Sequence, residues 1–121
     1  MRLIVLLPAL LLANAAQAAD PVFKTSAGEV TVQTVASGLD HPWGLAFLPD
    51  GRMLVTERPG RIRIVAADGK LSPALANVPP VFARGQGGML DVILDRDFAT
   101  NRAIYFSYAE AAGDGEKAGT A

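Results

Sequence analysis

Several residue types are absent or scarce in this sequence, and each absence removes a class of function. The 121 residues include no cysteine and a single histidine, His41. Without cysteine the chain has no disulfide framework and no thiolate site for zinc or an iron–sulfur cluster. One histidine excludes every site that needs two imidazoles, such as an H-E-x-x-H zinc helix. A serine–histidine–acid triad would be compatible only with His41 as its base.

An excess of positive charge is also lacking. The chain has 11 Lys and Arg against 12 Asp and Glu, which gives a formal net charge of −1, and the basic residues are scattered. Proteins that hold a nucleic-acid backbone present clustered Lys and Arg, so nucleic acid and anionic membranes are both disfavoured as partners. With 50% hydrophobic residues, the length suits one small globular domain.

The N-terminal segment has the pattern of a secretory signal peptide. Arg2 gives a positive start, residues 3–13 form a largely apolar run, and residues 16–18 supply small side chains for cleavage. A membrane anchor is the alternative, but a run of about 11 residues is well short of the roughly 20 that span a bilayer. We therefore predict a signal peptide over residues 1–18 and one domain over residues 19–121. The mature protein is expected to be secreted or periplasmic, without a membrane span.

The rest of the chain has the pattern of strands joined by turns. Apolar residues recur with the short period of strands, and no stretch keeps a helical period over three turns. Turn signals such as Pro49-Asp50-Gly51 separate these runs. The pattern predicts an all-β fold, with the polar tail of residues 113–121 as a loop. The main predicted strands are Trp43–Leu48, Met53–Thr56, Arg61–Val65, Leu90–Leu94 and Ala103–Tyr108.

Two of the predicted hairpins resemble each other. Asp50 and Asp97 are 47 residues apart, and Arg52 and Arg102 are 50 residues apart. These spacings fit the period of a four-stranded propeller blade, although a β-sandwich with similar turns is an alternative. Propellers close with about four to eight blades, and residues 19–121 supply roughly two. We therefore predict the first blades of a propeller that is incomplete in this chain.

A glycine cluster, Gly85-Gln86-Gly87-Gly88, precedes one predicted strand. The backbone of such a cluster can approach a ligand closely, and Gln86 offers both hydrogen-bond donors and an acceptor. The cluster does not match a phosphate-binding loop, because Leu90 stands where a dinucleotide fingerprint needs glycine and no G-K-[ST] follows. From these residues alone, an exposed surface turn is the simpler interpretation of Gln86.

Three further residues near predicted strand ends have side chains suited to chemistry or packing. His41, held extended or in a turn by Pro42, could be a base or a ligand, but a packing or hydrogen-bonding role is simpler. Trp43 is interpreted as a core anchor. Glu57 and its neighbour Arg58 could form an exposed ion pair or line a cavity, and both alternatives stay open.

Asp95, Asp97 and Asn101 bring oxygen ligands close together in sequence, which invites a calcium interpretation. An EF-hand loop needs glycine at its sixth position and glutamate at its twelfth, where this chain has Thr100 and Phe106. The match fails. Asp97 is interpreted instead as the turn residue of the second hairpin, equivalent to Asp50 in the first.

Four segments together carry a family resemblance that runs in order between residues 32 and 108. They are GLDHPWGLAFLPDG at 38–51, LVTER at 54–58, GQGGMLDV at 85–92 and DFATNR at 97–102. Taken together they resemble the opening of the soluble glucose/sorbosone dehydrogenase family, and within it the PQQ-dependent soluble aldose sugar dehydrogenases. The resemblance implies a six-bladed β-propeller, of which this chain is the N-terminal part.

The resemblance also implies an activity and its cofactors. Members of this family are exported quinoproteins that oxidise the C1 hydroxyl of an aldose to a lactone, with PQQ as hydride acceptor and a histidine as general base. The resemblance implies calcium bound to the cofactor, and a quinone or a carrier protein that accepts the electrons. Gln86 matches the glutamine of the family's Gly-Gln-x-Gly loop, which contacts the cofactor, so a cofactor-binding role is implied.

In the family, the catalytic histidine, the calcium loop and most of the basic cofactor contacts come later than the part matched here. No catalytic residue and no metal ligand is therefore predicted in this chain, and the fragment alone is expected to be inactive. His41 belongs to a different motif and does not receive the catalytic role. Two alternatives stay open: a calcium-dependent propeller lactonase, and a non-catalytic propeller that binds a sugar or a partner protein.

Overall fold

The computed structural model describes residues 20–112 and 117–121. The signal peptide predicted for residues 1–18 lies outside this part of the chain. The chain divides into two compact units, one that ends at Gln33 and one that runs from Thr34 to Ala121. Within the described ranges, no helix has the length and apolar character needed to cross a membrane.

The first unit contains a β-hairpin. Strand β1 (Val22–Thr25) pairs antiparallel with β2 (Gly28–Thr31), with Val22 opposite Thr31 and Thr25 opposite Gly28. The Thr25 hydroxyl donates a hydrogen bond of 2.8 Å to the Gly28 carbonyl and closes the turn. Both strands are exposed along their whole length.

The second unit begins with a three-stranded antiparallel sheet. Its strands are β3 (Pro42–Phe47), β4 (Met53–Glu57) and β5 (Arg61–Val65), in that order across the sheet. The Asp50 side chain accepts a hydrogen bond from the Arg52 N–H, and Gly51 has a φ of 84°, so the β3–β4 turn depends on both residues. The three strands confirm the sequence prediction, and the bounds of β5 agree at both ends.

A fourth, irregular segment continues this sheet beyond β5. Leu71 forms an isolated bridge with Val65, and the Ser72 N–H donates to the Ile64 carbonyl at 2.8 Å. Pro73 follows directly and has no N–H to donate, so the ladder cannot continue as a regular strand. The predicted four-stranded blade is therefore present here as three strands and one irregular segment.

The second three-stranded sheet follows along the chain. It contains β6 (Met89–Leu94), a short helix α1 (Phe98–Asn101), then β7 (Ile104–Ala112) and β8 (Lys117–Thr120), with β7 in the middle. The prediction that residues 113–121 form only a loop is wrong, because β8 pairs with β7 over Ala109–Ala112. β8 has few strand-favouring side chains, but the free edge of β7 offers it unpaired backbone groups.

The two sheets repeat the same register. A register shift lies between Pro42 and Leu45 in the first sheet and between Met89 and Val92 in the second, at positions 47 residues apart. In the strands that pair with β3 and β6, equivalent positions such as Glu57 and Tyr108 are 51 residues apart. The difference matches the four residues of α1. The predicted all-β fold and its internal repeat are confirmed, but the predicted pairing of Arg52 with Arg102 is wrong, because the register makes Ala103 the equivalent of Arg52.

The two sheets pack against each other around one hydrophobic cluster. Its buried members are Leu48, Leu54, Ile62, Met89 and Val92. A methyl group on Gly44 would lie 3.0 Å from the Asp91 Cα, so the absence of a side chain lets β3 approach β6 closely. The buried Thr56 hydroxyl accepts from the Gly44 N–H at 2.9 Å and donates to the Leu90 carbonyl at 2.6 Å. Packing and hydrogen bonds thus join the sheets.

The interpretation of Trp43 as a core anchor is wrong for the described residues. Trp43 is 55% exposed, and the alternate residues Leu45 and Phe47 are 49% and 70% exposed. Leu45 and Phe47 are opposite Val55 and Met53 in the register, whereas Leu54, on the other face, joins the core between the sheets. The core between the sheets therefore lies on the other face, and β3 presents these apolar side chains to solvent.

Candidate functional site

The candidate site lies at the edge of the two sheets where β3 and β6 begin, which we call the upper edge. Two equivalent loops lead into these strands, residues 38–41 into β3 and residues 85–88 into β6. The end of β4 and the start of β5 lie at the same edge, because Glu57 is opposite Pro42 and Arg61 is opposite Glu57.

Gln86 is exposed in a tight turn at the upper edge. The Gly87 N–H donates to the Arg84 carbonyl at 2.8 Å, which makes Gly85 and Gln86 the two central residues of the turn. Gly85 has a φ of 55° at the first central position, as a type II′ turn requires. The turn therefore presents the Gln86 carboxamide to solvent, with two donors and one acceptor free to bind a polar ligand.

A cavity of about 380 Å³ lies beside Gln86. It is also lined by Phe82, Arg84, Leu90 and residues of β8. The Arg84 guanidinium lies over the Phe82 ring, 5.6 Å from its centroid, a distance at which a cation and an aromatic face attract each other. The cavity thus combines an apolar wall with an amide and one cation.

Arg58, the first residue after β4, is hydrogen-bonded to both ends of the Gln86 loop. Its Nη1 donates to the Gly85 carbonyl at 2.7 Å, and its own carbonyl accepts from the Met89 N–H at 2.9 Å. A Cβ on Gly88 would overlap the Arg58 side chain, 2.4 Å from Cγ, and Gly88 has a φ of 149°. Only glycine fits this position without a shift of the backbone.

Glu57 is fully buried and is bound by two arginines of β5. Arg61 Nε donates to Glu57 Oε2 at 2.7 Å and Arg63 Nε donates to the same oxygen at 3.0 Å, while the Asp40 N–H donates to Oε1 at 2.6 Å. Burial works against the charged form, but these hydrogen bonds, that of Arg61 first, outweigh it and hold the pKa of Glu57 below its ordinary value.

The hydrogen bonds of Glu57 and Arg58 test the two alternatives that the sequence left open for these residues. Neither alternative for Glu57 and Arg58 holds, because Glu57 pairs with β5 and Arg58 binds the glycine loop. The role of Arg58 was not predicted from the sequence. The glycine at position 88 was the one sequence signal for this contact. It points to Arg58 only once the structure shows the Arg58 side chain beside it.

His41 and Asp40 lie next to this ion-pair network. His41 Nδ1 is 2.5 Å from Asp40 Oδ1, and Arg61 donates to Asp40 Oδ2 at 2.9 Å. The hydrogen bond from Arg61, followed by that from His41, lowers the pKa of Asp40. The His41 side chain is 68% exposed, and its contact with Asp40 supports the hydrogen-bonding interpretation.

Asp95 organises the turn between β6 and α1 at the opposite, lower edge. It accepts hydrogen bonds from Tyr105 at 2.7 Å, from the Asp97 N–H and from the Asn101 amide. These bonds, that of Tyr105 first, lower the pKa of Asp95. Asp97 lies in this turn 47 positions after Asp50, as its interpretation as the equivalent turn residue requires. The side-chain bond that Asp50 makes to the residue two positions on is made here by Asp95.

No group of three or more His, Asp or Glu side chains suited to a metal ion occurs within residues 20–112 and 117–121. A larger cavity, of about 460 Å³, lies at the lower edge between the β3–β4 turn and α1. Its lining is mainly apolar, with Leu48, Leu54 and Phe98 among its walls, and neither Gln86 nor His41 reaches it.

Comparisons with known proteins agree with this geometry. The sequence model of the family described as Glucose / Sorbosone dehydrogenase matches residues 39–121. "Aldose sugar dehydrogenase YliI" from Escherichia coli (strain K12) is 54% identical over 93 residues, which is 76% of this chain and 25% of that protein.

Solved structures give the same result. The crystal structure of the soluble aldose sugar dehydrogenase from Escherichia coli in the apo-form superposes with a TM-score of 0.68 at 53% identity, over 73% of this chain and 25% of that one. The PQQ-bound form of aldose sugar dehydrogenase from Streptomyces coelicolor gives a TM-score of 0.63 at 35% identity, over 73% of this chain and 30% of that one. This chain therefore spans about a quarter of the length of these relatives.

The chain forms two successive sheets of equal register, which pack against each other and have a glycine-rich loop at their upper edge. This arrangement defines an all-β repeat protein that consists of the first blades of a β-propeller. The predicted fold class is confirmed. The chain belongs to the glucose/sorbosone dehydrogenase family, as its residues 39–121 show. The resemblance inferred from the four motifs is thereby confirmed as well.

The residues at the upper edge suit one part of a PQQ site. PQQ carries carboxylates and ring carbonyls, which need hydrogen-bond donors and cations, and the Gln86 amide and the Arg84 guanidinium supply these beside one cavity. The same residues do not suit calcium. In the part of the chain that the structure describes, no carboxylate cluster fits a metal ion, so no step is assigned to calcium through these residues.

Proposed function

We propose that this chain is the N-terminal part of an exported, PQQ-dependent aldose sugar dehydrogenase. In this proposal residues 1–18 are the signal peptide and residues 19–121 belong to the propeller domain. The observation that carries it is the exposed Gln86 turn beside a cavity, in a chain of this family with a PQQ-bound structural relative. The exposed Trp43 and Phe47 side chains are consistent with further propeller blades that cover them.

In the full-length protein, PQQ would supply the two-electron acceptor that the C1 hydroxyl of the aldose needs when it loses two electrons and two protons and the sugar becomes a lactone. Gln86 would bind polar oxygens of the cofactor through its carboxamide. A neutral amide adds little charge, so its contribution would be to orientation. Arg84 would provide a positive charge close to the same cavity. The electrons would then leave to a quinone or a carrier protein.

The remaining parts of the reaction would depend on residues outside this chain. We propose that the general base and the calcium ligands lie there, because His41 belongs to a different motif from the family's catalytic histidine and no metal cluster is found among the described residues. The expressed fragment of residues 19–121 would then be inactive. The proposed location is secreted or, in a bacterium with two membranes, periplasmic.

The activity is tested with the full-length protein purified without cofactor. Glucose should reduce an artificial dye only after PQQ and calcium have been added, and the sugar lactone should accumulate. Hydrolysis of a lactone without PQQ would instead identify the calcium-dependent lactonase. Sugar binding with neither activity would identify a non-catalytic propeller.

The cofactor contact is tested with Gln86→Ala. We expect this variant to weaken PQQ binding by about 1–2 kcal/mol, because one polar contact is lost. Gln33→Ala removes the same side chain from an exposed position in the first unit and serves as the matched control. Affinities would be measured by titrating PQQ into the cofactor-free protein. Equal affinities for the two variants would return Gln86 to the surface-turn interpretation.

A further inference from the structure

We infer that Arg58 is a positioning residue, which fixes the Gly85–Gly88 loop so that Gln86 faces the cofactor. The inference rests on the proposed role of Gln86 and goes beyond it, because it assigns a function to a side chain of the neighbouring sheet. Arg58 follows β4, whereas the loop leads into β6, so the contact links the two sheets.

The first argument is the atom that Arg58 binds. Its guanidinium donates to the carbonyl of Gly85, the residue directly before Gln86. This oxygen belongs to the peptide group that joins Gly85 to Gln86, and that group is planar. A hydrogen bond of 2.7 Å to the oxygen therefore restricts the rotation of the unit that carries the Gln86 Cα.

The second argument is the flexibility that the loop would otherwise have. Three of the four residues from 85 to 88 are glycines, which have the largest choice of backbone angles. Within the loop, the turn bond from the Gly87 N–H to the Arg84 carbonyl is one restraint. Arg58 adds restraints at both ends, through its guanidinium on Gly85 and its carbonyl on Met89.

The third argument is that Arg58 is itself held in place and lies outside the cavity. Its N–H donates to the His41 carbonyl at 3.0 Å, and its Cγ occupies the space that a Gly88 side chain would need. The described residues that line the cavity with Gln86 include Arg84 but not Arg58. Arg58 therefore acts through the loop and not by contact with the ligand.

The experiment uses the cofactor-free full-length protein and a double-mutant cycle. Arg58→Met removes the guanidinium but keeps an unbranched chain beside Gly88. Arg52→Met is the matched control, because it removes an arginine from the β3–β4 turn at the lower edge, where Arg52 binds Asp50. We expect Arg58→Met to weaken PQQ binding about three- to tenfold and Arg52→Met to change it by less than about twofold.

The cycle separates positioning from contact. In the Gln86→Ala background, Arg58→Met should change PQQ affinity by less than about twofold, because there is no longer a carboxamide to orient. Full multiplication of the two losses would show that Arg58 acts independently of Gln86 and would overturn the inference. An unchanged affinity for Arg58→Met alone would overturn it too.

A readout without cofactor keeps this result distinct from the proposed function. Amide hydrogen exchange of Gly87 and Met89, whose N–H groups donate to the Arg84 and Arg58 carbonyls, should accelerate in Arg58→Met and stay slower in Arg58→Lys, which retains a donor and the aliphatic chain. Unchanged exchange in Arg58→Met would contradict the inference, whatever binds at the site. If exchange accelerates but Gln86→Ala binds PQQ normally, the loop contact holds and the proposed cofactor role of Gln86 is wrong. Arg58→Gln, which keeps Cγ beside Gly88 but ends two atoms before the position of the arginine Nη1, serves as the second variant should Arg58→Met fold poorly.

Discussion

The two sheets share one backbone plan but use different chemistry at equivalent positions. Glu57 in the first sheet and Tyr108 in the second are opposite the first residues of β3 and β6. Glu57 is held by two arginines, whereas the Tyr108 ring packs on Phe106 with centroids 5.9 Å apart. A repeated register thus fixes where a side chain points but leaves its chemistry free, so one sheet can stabilise the upper edge while the other presents Gln86 there.

The loops that lead into β3 and β6 show the same contrast. His41 and Gly88 occupy equivalent positions, and both have a positive φ, 51° and 149°. The loop before β3 has a histidine bonded to Asp40, and the loop before β6 has glycines packed on Arg58. The following substitutions, in the full-length protein, test how much the stability of each sheet depends on the side chains that differ between them.

Gly88→Ala should have the largest effect. The added methyl would overlap the Arg58 side chain and carbonyl, and a φ of 149° is unfavourable for alanine. We expect a loss of about 2–4 kcal/mol in the free energy of unfolding. Gly119→Ala, where nothing lies within 4 Å of the added methyl, is the control in the same sheet. Denaturant titration compares the two, and equal stabilities would mean that the loop adapts freely.

Glu57→Gln tests the ion pairs that Glu57 makes with Arg61 and Arg63 in the first sheet. The amide keeps the shape of the side chain but leaves two arginines without their buried carboxylate, so we expect a loss of about 2–3 kcal/mol. Glu110→Gln, at an exposed position of β7, should change the free energy of unfolding by less than about 0.5 kcal/mol. A similar small loss for both variants would mean that the arginine pairs contribute little.

The pH dependence gives Glu57 a second test. Its pKa is lower in the folded chain than its ordinary value of 4.5, so the stabilisation is present above that pH and is lost as the pH falls through the lower folded pKa. The free energy of unfolding should therefore decrease on acidification, and Glu57→Gln should flatten that decrease. Parallel curves for the two proteins would assign the acid sensitivity to other carboxylates.

Thr56→Val tests the contact between the sheets. The substitution keeps the volume but removes the hydroxyl that serves the Gly44 N–H and the Leu90 carbonyl, both next to the core. We expect a loss of about 1–3 kcal/mol, measured by the same titration. Thr120→Val, at an exposed position of β8, is the control. If the two agree, the Thr56 hydroxyl contributes little to the contact between the sheets.

His41→Gly should have the smallest effect. Glycine accepts the positive φ of this position more readily than histidine, but it also gives the unfolded chain more freedom. These contributions oppose each other, so the free energy of unfolding should change by less than about 1 kcal/mol. The thermal midpoint measures it. A large loss would show that the exposed imidazole and Asp40 contribute more than their geometry indicates.

The strands were predictable because alternation and turn residues are local signals. Arg61–Val65 alternates charged and apolar residues between two glycine-containing turns, and both its ends were predicted correctly. β8 was not, because Lys117–Thr120 has weak strand preference and pairs only through the edge of β7. At the candidate site, Gln86 was found through the family motif. The contact between the Arg58 guanidinium and the Gly85 carbonyl spans 27 positions of sequence, so no local pattern could indicate it.

The contact between Arg58, at the end of β4, and the glycine loop has a consequence for the order of folding. Synthesis and export of a chain both proceed from its N-terminus, so β3, β4 and β5, and Arg58 with them, become available for folding before residues 85–88. The partners that shape the Gln86 turn are therefore already available when its own glycines follow. We expect the first sheet to act as a template for this turn, so that the order of translation matches the order of assembly.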